Sequence, residues 1–343
     1  MVRANSGPAA AERPSMPGQS AFYNPITQKR MLDMMRSDMG EPMWTALNDS
    51  AVTEISANSD GSVWVDRVGA GRVRLPDDIR SDRVYSILTI VADAKGERIG
   101  DGNPSFDALV PGVMFRFIGM LPPLTPAPAF TIRKKPGRVI SLEEYEQAGI
   151  MTAAQRKAIE QAAIDEDNII IAGGTGSGKT TLFNAVLQVM SRTGHRIITI
   201  EDTPELLNPA ADQESLYTVP GVRTMQDCLR VTLRAHPNRL IFGEVRGPEV
   251  RDMLMAWNTG HRGGGCTIHA DSALDTLFRI EEMLETIQNF QPRPRSIART
   301  IHVIIFITAT NDRVRYPAGR YVKEVVRVMG WDAGKGYRLE SIV

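Results

Sequence analysis

Cysteine is almost missing from this chain: Cys228 and Cys266 are the only two thiols in 343 residues. So wide a pair offers no disulfide framework and no clustered thiolate site, and it suits a reducing compartment. Aromatic residues are scarce as well, at 6%, and forty basic side chains are cancelled by forty acidic ones. Neither net charge nor a stacking platform therefore points to nucleic acid or to an anionic lipid surface, and no direct nucleic-acid binding is expected. No stretch approaches the roughly 18 uninterrupted apolar residues of a membrane span, and the first residues lack the basic-then-apolar blocks of a secretory signal. The chain reads as cytoplasmic, with any membrane contact peripheral, at the cytoplasmic face of the inner membrane.

What is present is an ordinary globular composition, 42% hydrophobic and 23% charged, on a length that favours two domains. Residues 1–27 open in Pro, Ala, Gly and Ser without periodicity and are expected to be a disordered tail. Residues 28–135 read as an α+β domain. Met31, Met34, Met35, Met39 and Trp44 have helical spacing, and an alternating run then crosses Asp60-Gly61 as a hairpin. A second helix is expected over Asp82 to Ala94, followed by two strands around a proline-rich loop. Pro136 and Gly137 among charges mark residues 136–150 as a linker. From 151 to 343, after an amphipathic helix over Ala153 to Ile164, short apolar runs alternate with helical stretches, the pattern of a parallel sheet covered by helices. The fold class is α/β, a P-loop domain behind a smaller α+β domain.

The most informative segment is Gly173-Gly174-Thr175-Gly176-Ser177-Gly178-Lys179-Thr180, which fits G-x-x-x-x-G-K-[ST] directly after the apolar run Ile169 to Ala172. Glycines let backbone N–H groups face phosphate oxygens, and the helix that follows adds its positive end. Lys179 is expected against the β and γ phosphates of ATP, the Thr180 hydroxyl on Mg²⁺, and Thr181 on an α-phosphate oxygen.

Hydrolysis needs carboxylates at neighbouring strand ends. "IITIEDTPEL" supplies Glu201 and Asp202, and "RLIFGEV" supplies Glu244. Either glutamate is placed to orient the attacking water, with Glu244 also a candidate for the metal, directly or through water. The plainer duty for Asp202 and Glu205 is to cap the next helix. "GHRGGGCTIHADSA" brings His261 and His269 near another buried strand; a metal site is not indicated, and His269 is either a sensor of the terminal phosphate or a structural imidazole.

"GGTGSGKTT", "IEDTPEL", "LRAHPNRLIFGEVRGPEV" and "GHRGGGCTIHADSA" stand in an order that resembles the type II/IV secretion ATPase superfamily, with its Walker A loop, Asp box, Walker B ending in Gly-Glu, and His box. "VTEISANSDGSVWVDRVGAGRV" and "LPPLTPAPAFTIRKKP" look like the N-terminal domain of its type IV members, so the resemblance spans roughly residues 28 to 327 and is nearest to conjugal-transfer ATPases of the TrbB type. It implies a RecA-like P-loop domain, ATP and Mg²⁺ as ligands, and roles for Lys179, Thr180, Glu201, Glu244 and His269. It also implies that Arg133, and less directly Arg116, reach the terminal phosphate on domain closure. A homo-hexameric ring serving inner-membrane components of a type IV secretion apparatus is the implied assembly. A pilus-retraction motor, a non-hydrolysing nucleotide-gated scaffold and a DNA motor are the rival functions; two separated cysteines exclude the tetracysteine zinc module of some assembly members.

Overall fold

The computed structural model describes residues 25–343 except 68–70, 96, 101, 111–114, 136 and 220–221. The expected tail lies outside the described residues except for 25–27, which open a helix. The chain divides after Lys134 into two compact units.

In the first unit, helix α1 (Pro25–Asn48) buries Met31, Met35, Met39 and Met43, one every fourth residue. Met34, expected on the same face, is 51% exposed, because a step of three from Met31 falls on the flank of a stripe built on steps of four. Gly40, at φ 71°, breaks the helix just ahead of Pro42. The chain continues as β1 (Val52–Ala57), β2 (Val63–Arg67), β3 (Gly71–Arg74), α2 (Ser81–Lys95), β4 (Ser105–Val110), β5 (Phe115–Met120) and β6 (Ala129–Arg133). These strands form one antiparallel sheet in the order β3-β2-β1-β6-β5-β4. Helix α2 packs on β4 and β6 through Val84, Ile87, Leu88 and Val91.

The second unit begins with α3 (Leu142–Gln147) and α4 (Ala153–Ile164), each opened by a reciprocal cap, Ser141 with Glu144 and Thr152 with Gln155. The stretch 136–150, read as a linker, thus contains a helix whose Leu142 and Tyr145 are buried in this unit's core. The remaining elements are β7 (Ile169–Ala172), α5 (Lys179–Ser191), β8 (Ile197–Glu201), β9 (Gln213–Tyr217), α6 (Met225–Thr232), β10 (Arg239–Glu244), α7 (Val250–Asn258), β11 (Gly265–Ile268), α8 (Ala273–Glu285), α9 (Pro294–Thr300), β12 (Val303–Ala309), β13 (Arg320–Asp332) and β14 (Gly336–Ser341).

Their sheet runs β14-β13-β12-β7-β11-β10-β8-β9. Six strands, β12 to β9 in that order, are parallel, whereas β13 and β14 join antiparallel. The sheet is therefore mixed, and the chain after Gly330, which carries no readable signal, completes its edge. Alternate β7 residues serve opposite faces: Ile170 and Ala172 meet α7 and α8, Ile169 and Ile171 meet α4 and α5. This double burial fixes the central strand, and with it the loop that follows. Among the described residues, no helix is long and apolar enough to cross a membrane.

Candidate active site

The loop from Gly173 to Gly178 leaves β7, the strand flanked by β11 and β12, and ends on α5. A Cβ on Gly173 would run into the Ile307 carbonyl and would lie 2.6 Å from the Ser177 hydroxyl, so only glycine fits. Gly178 precedes the helix at φ 99°, a left-handed conformation that glycine adopts without strain, and offers no side-chain cap. The first N–H groups of α5 are left for an anion. Thr180 and Thr181 stand in that first turn, and Lys179 Nζ donates to the Gly173 and Gly174 carbonyls at 2.9 and 3.0 Å. The Ser177 hydroxyl is buried with no hydrogen-bond partner among the described residues.

At the same edge of the sheet, β8 ends in Glu201. Its Oε1 accepts the Glu205 and Leu206 N–H groups at 2.9 and 2.8 Å, while Oε2 is buried with no hydrogen-bond partner among the described residues. Burial pushes this carboxyl up to about 7, against the downward pull of those two N–H bonds and of Lys135. Asn184, inside α5, holds the loop beyond Glu201 in place, donating to the Glu205 carbonyl at 3.0 Å and accepting from Leu207 N–H at 2.8 Å. No helix follows β8 directly, so the helix-capping role weighed for Asp202 and Glu205 is not found; Asp202 accepts from the Thr218 hydroxyl at 2.8 Å instead.

Glu244 closes β10 beside β8. Gly243 passes so close to Glu201 that an added Cβ would lie 3.0 Å from its Cγ. Thr267 on β11 is the register partner of Glu244, and its hydroxyl donates to the Gly243 carbonyl at 2.8 Å, pinning this strand end. Glu244 is paired with Arg246. His269 follows β11, between the strands of the phosphate loop and of Glu244, and is exposed. The structure thus brings Lys179, Thr180, Glu201, Glu244 and His269 to one strand edge. His261 lies at the opposite edge, in the connection that enters β11, with Nδ1 3.3 Å from the Ala256 carbonyl.

Arg116 and Arg133 belong to the first unit, where they are register partners on β5 and β6; Arg116 is also held bidentately by Asp107. Three participants escaped the sequence reading: Asn184, Arg246 and Arg320. The last begins β13, lies against Gly178 and donates to the Ser177 carbonyl at 3.4 Å. Only Asn184 carried a signal, as a lone amide in the apolar run "LFNAVL".

These residues fit a nucleotide with its cation: an orphaned hydroxyl and an orphaned carboxylate oxygen, a cradle that a Cβ would fill, and an open helix N-terminus. No group of three acidic, His or Cys side chains that could hold a metal by itself occurs among the described residues.

A profile described as "Type II/IV secretion system protein" matches residues 100–314. The chain belongs to that family. It is 35% identical to the "Probable conjugal transfer protein TrbB" of Sinorhizobium fredii, over 91% of this chain and 94% of that one. It is 28% identical to the "Type IV secretion system protein VirB11" of Brucella suis, over 83% and 88%. The X-ray structure of the Legionella pneumophila ATPase DotB superposes with a TM-score of 0.55 at 19% identity, covering 94% of this chain and 84% of that one. That likeness shows the fold, a RecA-like domain with a smaller N-terminal domain.

Proposed function

We propose that the chain is an ATPase that powers a type IV secretion or conjugative transfer machine, working as a homo-hexameric ring at the cytoplasmic face of the inner membrane with that machine's membrane components. The observation that carries the reading is the pairing, at one strand edge, of a phosphate loop with a buried carboxylate whose free oxygen has no partner among the described residues. The conjugal-transfer and VirB11 relatives supply the process.

In this reading the glycine-loop N–H groups and the α5 terminus hold the phosphates. Lys179 leaves the two loop carbonyls for the β and γ oxygens. Thr180, with Glu244 directly or through water, holds Mg²⁺, which when bound neutralises phosphate charge. Glu201 or Glu244 orients the attacking water and takes its proton. A carboxyl near 7 is suited to that transfer because both of its protonation states are populated at working pH. His269 responds to the terminal phosphate. Arg133 and Arg116 are the candidate cations for the charge that develops there, a contribution of about 10³ to 10⁵ in rate where such arginines act.

A non-hydrolysing scaffold is the second reading, favoured by the Glu244 pair with Arg246, which engages one candidate base. Plasmid transfer frequency in cells carrying Lys179→Ala in place of the wild type separates the two. A motor loses transfer; transfer at the wild-type frequency, with ATP turnover abolished, removes the proposed function.

A further inference from the structure

The first turn of α9 and the far end of β13 border an open concavity of about 490 Å³ walled by Arg293, Arg295, Arg299, Pro292, Pro294 and Trp331. The rest of its wall is neutral, one amide and one hydroxyl, and no carboxylate lines it. It lies at the sheet edge opposite the phosphate loop. Helix α9 leads into the start of β12, and Trp331 lies four residues past Arg327, the register partner of Val303 at that start.

Several arginines of this unit are ion-paired. Arg156 has Glu146 and Glu160, Arg196 has Asp212, and Arg327 has Asp167. Among the described residues, the guanidiniums of Arg293, Arg295 and Arg299 have no ion pair and no hydrogen bond. Arg295 lies over the Trp331 ring, 5.7 Å from its centroid. Arg295 and Arg299 are also four apart on a seven-residue helix, a like-charge spacing that disfavours the helix. In a chain whose charges balance, three arginines without a carboxylate partner in one concavity are a local surplus that an anion relieves.

The shape selects among anions. Nucleic acid is tracked by a basic groove several phosphates long, whereas this cluster ends in a single pocket. A lipid headgroup layer presents a plane, and free phosphate makes no use of the indole and proline walls. A peptide uses both features, with carboxylates on the guanidinium forks and an aliphatic side chain against Trp331, Pro292 and Pro294. The volume suits a few side chains of an extended segment. We propose that this cavity docks an acidic peptide segment of a partner protein, a contact made at the edge away from the nucleotide and independent of the proposed ATPase activity.

The test uses the full chain and a fluorescein-labelled peptide of Glu and Asp residues flanking two leucines, read by anisotropy, with its Gln/Asn counterpart as control. Arg295→Glu with Arg299→Glu is expected to weaken binding of the acidic peptide at least about tenfold. The neutral peptide is expected to bind the wild type no better than that variant, and ATP turnover is expected to stay unchanged. Arg295→Gln with Arg299→Gln gives the same reading should charge reversal impair folding. The proposal is overturned if the acidic peptide does not bind the wild type, or binds wild type and variants alike. It is overturned equally if arginine-dependent binding is found only for inorganic phosphate, phosphatidylglycerol vesicles or single-stranded DNA, or if the substitutions act only by changing the assembly's mass.

Discussion

Replacing Glu201 by Gln should stabilise the nucleotide-free protein, and more so at high pH. The carboxyl titrates near 7 in the folded unit against 4.5 in an open chain. A group raised on folding favours the native state fully below its unfolded value and loses that advantage as pH rises through the folded one. The ionised, buried Glu201 therefore costs nothing near pH 4, about 1 kcal/mol near pH 5.5, and about 3 kcal/mol above pH 7, at 1.36 kcal/mol per unit. Glutamine keeps an acceptor for the Glu205 and Leu206 N–H groups and removes the charge. For a unit of roughly 200 residues, about 3 kcal/mol corresponds to roughly 6 to 12 °C in Tm. Thermal unfolding of wild type and Glu201→Gln without nucleotide, at about pH 5.5 and about pH 8.5, measures the difference. A gain that grows with pH is predicted. An equal shift at both values, or a less stable variant at the higher one, refutes the burial argument.

Gly173→Ala drives a methyl group toward the Ser177 hydroxyl and the Ile307 carbonyl, so ATP affinity measured by calorimetry should fall at least about tenfold. Asn184→Ala removes the two hydrogen bonds that Asn184 makes to the loop after Glu201; a stability loss of about 1 to 3 kcal/mol in urea unfolding, faster exchange of the Leu207 amide and reduced kcat are expected, and unchanged exchange would show that the Glu201 bonds alone hold the loop. Arg133→Ala should lower kcat with little change in nucleotide affinity, measured by steady-state kinetics beside equilibrium binding; a loss of affinity alone would make Arg133 a binding residue.

The parts of this protein legible in sequence are those whose cause is local. Ile169 to Ala172 reads as a buried strand because every residue is apolar, and Gly173 to Thr180 reads as a phosphate loop because the glycines and the following helix are contiguous with it. Helix α4 was readable over Ala153 to Ile164 from its amphipathic pattern, and Thr152 with Gln155 caps its start. Strand β9 was not, since "QESLY" is a polar edge strand with no apolar run. Strand β13, interrupted by charges, is ordered by pairing with β12 and β14, and β14 is an edge strand held by β13. Helix α3 had a signal in Ser141 and Glu144, masked by the neighbouring Pro136 and Gly137. At the site, the order of the motifs gave the residues their strand ends. The Asn184 clasp, the approach of Arg320 to Gly178 and the pairing of Arg246 with Glu244 arise from tertiary packing that no spacing encodes.

The most direct measurement is Mg²⁺-dependent phosphate release from ATP by the purified chain, with Lys179→Ala and Glu244→Gln beside it and the mass determined in the same buffer. The account predicts turnover by an oligomeric wild type and a loss of at least about tenfold in each variant. ATP binding with equal turnover in all three proteins would contradict it.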